Sequence, residues 1–188
     1  MAEQPGLFDE APRGPPGFLY RPDLISRAEE EALIAEFATL PFQVFEFHGF
    51  FGKRRTVSFG FKYDYSAGRL NPAPDMPAFL SSLRDRAGWF TGVQPEAFAH
   101  VLITEYDPGV TIGWHRDRPQ FDKVVGISLA APCTFRFRRR TSTGFERVSH
   151  HLDPRSGYLL DGPARTVWEH SIPPLEARRY SVTFRTLR

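Results

Sequence analysis

Cysteine is almost absent from this chain of 188 residues, in which Cys133 stands alone. No disulfide can form within the chain, which favours a reducing compartment, and Cys133 is expected to be a small core residue. The N-terminal residues lack the basic flank and apolar core of a signal peptide, and no apolar run approaches the length of a membrane span. We therefore predict a cytoplasmic, monomeric protein without membrane contact.

Excess charge of one sign is also lacking, because the formal net charge is only +2. Overall charge therefore predicts no nucleic-acid partner. Two local basic clusters could still contact phosphates, namely residues 53–55 and the arginines at positions 136 and 138–140. In the second cluster Phe135 and Phe137 alternate with arginines, which predicts Phe inward and Arg outward. A solvated face and a phosphate-binding surface explain that pattern equally well.

The pattern of breakers and apolar residues predicts a tail and one domain. Residues 1–16 are rich in Pro, Gly and charge and are expected to be a flexible tail. Residues 17–188 are predicted to form a single domain, with helical support and a substrate lid at 17–97 and a core of strands at 98–188. Ser26 and Glu29 form a capping box for a first helix that Pro41 ends, and a second helix is predicted at 77–87.

Short alternating segments separated by turn residues predict the strands. Upstream, Gly52 is expected to turn the chain and 57–65 to be a strand. Downstream, strands are predicted at 101–106, 124–129, 134–137, 145–151, 157–160, 166–170 and 179–186. Two helices followed by about eight short strands indicate an α+β, mainly β fold: a double-stranded β-helix, or jelly roll, with the N-terminal helices on one face.

A possible metal site begins at His115 and Asp117. Residues two apart in an extended segment share a face, so an imidazole and a carboxylate would lie side by side. Two histidines and one carboxylate on one side of an ion form the facial triad of non-haem Fe(II) oxygenases. A His-x-Asp pattern is common, however, and a solvated pair beside a turn is the alternative.

Five histidines could supply the third ligand: His48, His100, His150, His151 and His170. His170 is favoured because it shares a face with Thr166 and Trp168 on the predicted strand at 166–170. It is separated from Asp117 by about fifty positions, which suits strands that meet across a barrel. His100 is expected to point away from His115.

Two arginines lie on one face of the last strand. Arg179, Ser181, Thr183 and Arg185 alternate and are predicted to point the same way. Two guanidiniums on a barrel wall are unfavourable unless an anion pairs with them, and a dicarboxylate would suit the fork geometry of arginine. An edge strand with solvated arginines is the alternative.

At this point the sequence resembles the AlkB-like branch of the 2-oxoglutarate/Fe(II) dioxygenases. The family pattern runs Asn-x-Tyr-x-x-Gly, His-x-Asp, His and Arg-Tyr-Asn-x-Thr-Phe-Arg. The similar stretches here are HVLITEYDPG at 100–109, WHRD at 114–117, GPARTVWEH at 162–170 and RYSVTFR at 179–185. The segment KRRTVSFGFKYDYS at 53–66 is similar to the family's substrate lid. The resemblance covers roughly residues 17–188.

The resemblance implies Fe(II), 2-oxoglutarate and O2 as metal and co-substrates. It implies that 2-oxoglutarate is oxidised to succinate while a substrate C–H bond is hydroxylated, so that an N-methyl group leaves as formaldehyde. Iron ligands would be His115, Asp117 and His170. Co-substrate contacts would be Arg179, Arg185 and Tyr106, with Thr104 and Ser181 standing where the family has asparagines.

The resemblance implies alkylated DNA or RNA as substrate, but one position departs from it. Many nucleic-acid demethylases of the family carry an acid two residues after the iron-binding Asp, where this chain has Pro119. Oxygenation of a protein side chain or small molecule, and a non-catalytic metal- or ligand-binding barrel, are therefore alternatives. The predicted substrate contacts are Arg54, Arg55, Phe61, Tyr63, Tyr65 and Arg118, although the aromatic residues could instead pack beneath the lid.

Overall fold

The computed structural model describes residues 14–47, 50–64 and 67–188. Three α-helices lie in this part of the chain: α1 (Arg27–Phe37), α2 (Ser81–Thr91) and α3 (Gly162–Thr166). The strands are β1 (Phe18–Arg21), β2 (Gln43–Phe47), β3 (Phe50–Phe59), β4 (Phe61–Asp64), β5 (Arg69–Pro72), β6 (Phe98–Tyr106), β7 (Ile112–His115), β8 (Phe121–Leu129), β9 (Cys133–Thr141), β10 (Gly144–Leu152), β11 (Gly157–Leu160), β12 (Glu169–Ile172) and β13 (Arg179–Leu187). Most of the predicted tail, residues 1–13, lies outside the described residues, as do His48 and Tyr65.

Two sheets face each other, which confirms the predicted jelly roll. The larger sheet has the order β1-β11-β8-β13-β6-β3-β2, and the smaller has the order β10-β9-β12-β7. The pairs in both sheets are antiparallel. One cluster of buried residues, including Phe135 and Phe137 of β9 and Tyr158 of β11, fills part of the space between the sheets. The space that remains forms the cleft described below.

The helices cover the other face of the larger sheet, as predicted. The Ser26 hydroxyl accepts a hydrogen bond from the Glu29 amide at 3.2 Å, and the Glu29 carboxylate accepts one from the Ser26 amide at 2.7 Å. This capping box satisfies two amides that would otherwise lack partners at the start of α1. Leu33 of α1 and Leu83 of α2 then pack in one core cluster with Ile127 and other residues of the sheet. No helix in the described part of the chain is long and apolar enough to cross a membrane.

The segment around the predicted lid differs from expectation at two glycines. Gly52 does not turn the chain but lies inside β3. Gly60 interrupts the strand that was predicted at 57–65, because its φ of +75° belongs to the left-handed region that side chains disfavour. β3 therefore ends at Phe59, and β4 pairs with β5 in a separate two-stranded hairpin.

The strand predicted at 166–170 is also wrong. Asp161 caps a short helix, its side chain accepting a hydrogen bond from the Gly162 amide at 2.8 Å, and a proline occupies the first turn. Both are signals of a helix start. Strand β12 begins only at Glu169, so Thr166 and Trp168 do not share a strand with His170.

Candidate active site

A single cleft of about 1120 Å³ lies between the two sheets and brings most of the predicted site residues together. His115, Asp117 and His170 line it, as do the four alternating residues of β13, from Arg179 to Arg185. The face that the alternation of β13 predicted is therefore the face that points into the cleft. We call the part around Tyr106, Ser128, Arg179 and Ser181 the co-substrate end, and the part around Arg54, Lys62, Tyr63 and Arg118 the mouth.

The two histidines lie opposite each other on neighbouring strands. His115 of β7 is the register partner of His170 of β12, and their ring centroids are 4.2 Å apart. His115 Nδ1 lies 2.9 Å from the Gly113 carbonyl oxygen, a contact in which the ring nitrogen donates. That contact leaves Nε2 of His115 with its lone pair available, the arrangement in which a histidine binds a metal.

Asp117 follows β7 and turns its carboxylate towards the second histidine. Its Oδ2 is 3.8 Å from His170 Nε2, and both side chains are about 10% exposed. Burial alone would raise the pKa of Asp117, but Arg185 and the two histidines hold that pKa well below its usual range. Burial, with His115 nearby, lowers the pKa of His170 to about 3. At neutral pH the carboxylate is thus ionised and the imidazole neutral, which are the metal-binding forms.

These three side chains are gathered but not closed around a point. Within residues 14–47, 50–64 and 67–188, no three His, Cys, Asp or Glu side chains stand close enough together to form a finished metal cage. Two imidazoles and one carboxylate are nevertheless the donor set that suits Fe(II). The chemistry of the donors therefore fits an iron ion.

Arg185 and His100 form a contact that sequence reasoning missed. Arg185 donates to Asp117 Oδ1 from Nε at 3.1 Å and from Nη2 at 2.9 Å, and its Nη1 lies 3.3 Å from His100 Nδ1. The prediction that His100 points away is wrong, because His100 is buried in the cleft lining. The parity of β6 could have revealed it, since His100 shares a face with Thr104 and Tyr106. Arg185 thus orients the carboxylate.

The co-substrate end is built on the larger sheet. Arg179 is only 1% exposed, and its Nε donates to Ser128 Oγ at 3.0 Å. Tyr106, its register partner on β6, contacts Ser181 with 3.2 Å between the two hydroxyl oxygens. Thr104 stands opposite Ser181 in register and also lines the cleft. All four residues predicted here are therefore brought together, and Ser128 is an addition that no sequence pattern singled out.

Arg165 anchors the loop that follows Asp117. It is 4% exposed, and its Nη2 donates to the carbonyl oxygens of Arg118 and Phe121, the latter at 2.8 Å. A guanidinium that is buried and satisfied by backbone carbonyls holds a loop in one conformation. The position of the predicted substrate residue Arg118 therefore depends on α3.

The predicted substrate residues are divided by the structure. Arg54, Tyr63 and Arg118 line the cleft, and the Arg118 guanidinium lies 5.0 Å from the Tyr63 ring centroid. Arg55 is not among the described cleft residues, because it pairs with the buried Glu105 through an Nε–Oε2 hydrogen bond of 2.6 Å. Phe61 is likewise absent from the described lining, and the break at Gly60 explains why the predicted row of aromatics is not continuous.

A family model described as the 2OG-Fe(II) oxygenase superfamily matches residues 21–185. The chain belongs to this superfamily. Membership confirms a 2-oxoglutarate-dependent dioxygenase by class, with Fe(II), 2-oxoglutarate and O2 as metal and co-substrates.

Known relatives confirm that the chain is AlkB-like. An "Alkylated DNA repair protein ALKBH8 homolog" from Arabidopsis thaliana is 28% identical over 184 residues, covering 84% of this chain and 51% of that protein. The "Alpha-ketoglutarate-dependent dioxygenase alkB homolog 3" of Rattus norvegicus is 28% identical over 140 residues, covering 66% of this chain and 46% of that protein. The chain thus spans about half the length of these curated relatives. A solved structure of OsALKBH1 has the same fold, with a TM-score of 0.70 at 14% identity over 92% of this chain and 97% of that one.

Proposed function

We propose that this chain removes alkyl groups from nitrogen atoms of DNA or RNA bases by Fe(II)- and 2-oxoglutarate-dependent oxygenation. One observation carries the proposal. An iron-type donor set, His115, Asp117 and His170, shares a cleft with the buried guanidinium of Arg179 in an AlkB-like chain.

The residues of the chain divide the work of binding. His115, Asp117 and His170 would hold the iron, while Arg185 keeps the Asp117 carboxylate in place. Arg179 would bind the distal carboxylate of 2-oxoglutarate through a charge-assisted fork, which fixes the co-substrate beside the metal.

Iron, when bound with 2-oxoglutarate and O2, supplies oxidation of a substrate C–H bond together with formation of succinate and CO2. The walls of the cleft limit water around this chemistry. On an N-methyl group the added oxygen gives a hydroxymethyl amine, which breaks down to formaldehyde and the free amine.

The mouth supports a nucleic-acid substrate. Arg54, Lys62, Arg116 and Arg118 line this side of the cleft, where they could contact phosphates. The names of two relatives, an alkylated DNA repair protein homolog and an alkB homolog, point the same way. Pro119, which can supply no acidic contact to a base, favours the second candidate: the same chemistry on a protein side chain or small molecule.

Mass spectrometry of methylated oligonucleotides tests the substrate. Purified protein with Fe(II), 2-oxoglutarate and O2 should remove methyl groups from 1-methyladenine or 3-methylcytosine in DNA or RNA and release equal amounts of formaldehyde and succinate. Succinate formation without methyl loss from any of these oligonucleotides would retain the oxygenase and transfer the substrate to the second candidate.

A further inference from the structure

Tyr158 of β11 is a buried phenol in the cleft to which neither the motifs nor the proposed function gives a role. It is 8% exposed and lines the cleft beside the co-substrate end. Its ring packs against Phe135, with 4.9 Å between the centroids. A core tyrosine usually finds a hydrogen-bond partner for its hydroxyl. None of the hydrogen bonds among the described residues involves this hydroxyl, and its principal charged neighbour is Arg179.

Gly126 of β8 explains how this phenol reaches the co-substrate end. Gly126 is the register partner of Tyr158 on one side and of Thr183 of β13 on the other. A Cβ at Gly126 would overlap the Tyr158 ring, its hydroxyl oxygen included. The ring therefore lies flat across the glycine, and its hydroxyl extends over β8 towards β13, the strand that carries Arg179. Glycine inside a strand often marks such a close approach.

Arg179 supplies a second donor that lacks a partner. Its Nε is bound to Ser128 Oγ, whereas its Nη1 is buried with no hydrogen-bond partner among the described residues. A buried donor without an acceptor is unfavourable, so a ligand acceptor is expected there. Burial raises the pKa of Tyr158 well above its ordinary value, so its phenol stays protonated and can donate as well.

We propose that Tyr158 donates a hydrogen bond to the distal carboxylate of 2-oxoglutarate alongside Arg179, and that Gly126 gives its ring the room to do so. This inference rests on the proposed function, because it requires that 2-oxoglutarate binds with its distal carboxylate at Arg179. Two converging donors, one charged and one neutral, suit the two oxygens of a carboxylate.

Isothermal titration of 2-oxoglutarate into Mn(II)-loaded protein tests the inference without turnover. Tyr158→Phe removes a single oxygen and should weaken 2-oxoglutarate binding by about tenfold or more, since a hydrogen bond to a charged group is lost. Mn(II) affinity should not change. Tyr20→Phe is the matched control, because Tyr20 lies outside the cleft and donates to Asp153 at 2.8 Å. Unchanged 2-oxoglutarate affinity in Tyr158→Phe would overturn the inference.

Two further measurements separate a direct contact from a distorted pocket. Gly126→Ala should displace the ring while keeping the hydroxyl, and it should weaken 2-oxoglutarate binding comparably; wild-type affinity in this variant would contradict the role of Gly126. Pyruvate, which has no distal carboxylate, should compete equally well in wild type and Tyr158→Phe, and an equal loss for pyruvate would argue for distortion and overturn the contact. Wild-type protein that binds no 2-oxoglutarate would instead refute the proposed function as well.

Discussion

The co-substrate end and the mouth of the cleft are built in different ways. Tyr106, Ser128, Arg179 and Ser181 are each at most 4% exposed and lie on three adjacent strands of the larger sheet. The mouth is formed by half-buried or exposed residues of β3, of the small β4–β5 hairpin and of the loop after Asp117. The part that would bind a constant co-substrate is thus fixed by sheet hydrogen bonds, while the part facing a variable substrate is attached to it by short connections.

Replacing Asp117 should produce the largest effect and should affect the chemistry at both ends. Asp117→Asn keeps an acceptor oxygen for Arg185 but removes the anionic ligand, so Fe(II)-dependent turnover should be abolished. Asp117→Ala would in addition leave Arg185 as an uncompensated buried charge, which costs on the order of 3–5 kcal/mol of stability. Succinate formation and chemical unfolding of both variants measure the two effects. Turnover retained in Asp117→Asn would mean that another carboxylate binds the metal.

Replacing Arg179 should affect the co-substrate end alone. Arg179→Ala removes a charge-assisted contact of about 1.5–3 kcal/mol and should raise the 2-oxoglutarate requirement roughly 10- to 100-fold. Arg178→Ala is the matched control, because Arg178 is exposed and pairs with Asp107 at 2.9 Å outside the cleft. Steady-state kinetics against 2-oxoglutarate should distinguish them, and equal behaviour of the two variants would contradict the assignment.

Gly60 joins the two regions, so replacing it should separate them. A Cβ at Gly60 would overlap the Ala99 carbonyl, and its φ is +75°. Gly60→Ala should therefore lower the free energy of unfolding by about 1–3 kcal/mol and weaken oligonucleotide binding, while 2-oxoglutarate affinity stays unchanged.

Gly92→Ala provides the control for Gly60→Ala. Gly92 also has a positive φ, of +70°, but a Cβ added there would meet no atom within 4 Å beyond its chain neighbours. The loss in stability should be smaller and should leave both affinities alone. Urea unfolding and titrations of the two variants make the comparison, and a loss of 2-oxoglutarate affinity in Gly60→Ala would show that the ends are coupled.

The smallest effect is expected at the mouth, from Arg54→Ala. Loss of one phosphate contact should weaken binding of a methylated oligonucleotide by about 0.5–1 kcal/mol and reduce the slope of log K against log salt by about 1. Arg55→Ala should leave that slope unchanged, because Arg55 pairs with Glu105 away from the cleft. Fluorescence anisotropy at several salt concentrations measures both variants. A smaller slope in Arg55→Ala would place the phosphate contact on the other face of β3.

Strand alternation made the co-substrate end predictable from the sequence. One parity on β13 places Arg179 to Arg185 in the cleft, and the same rule applied to β6 would have placed His100 there. Local alternation could not reveal the contacts of Ser128 or Arg165, because these depend on which strands become neighbours. The mouth was predicted less well, since a single left-handed residue, Gly60, interrupts the pattern of aromatics.

The predicted strand at 166–170 failed for a related reason. Asp161 and the following Gly-Pro form a helix start that competes with alternation, and the cap decides the local structure. His170 still faces the cleft because β12 pairs with β7 in the register that sets it opposite His115. The division at residues 16 and 97 stays a prediction, as do the monomeric state and the cytoplasmic location.

Succinate formation by protein reconstituted anaerobically with Fe(II), and then exposed to O2, tests the central claim most directly. Wild type supplied with 2-oxoglutarate and a methylated oligonucleotide should form succinate only when Fe(II) is present, and Asp117→Asn should form none above background. Absence of succinate from the iron-loaded wild type, or equal amounts from the variant, would contradict the claim that His115, Asp117, His170 and Arg179 form a working oxygenase site.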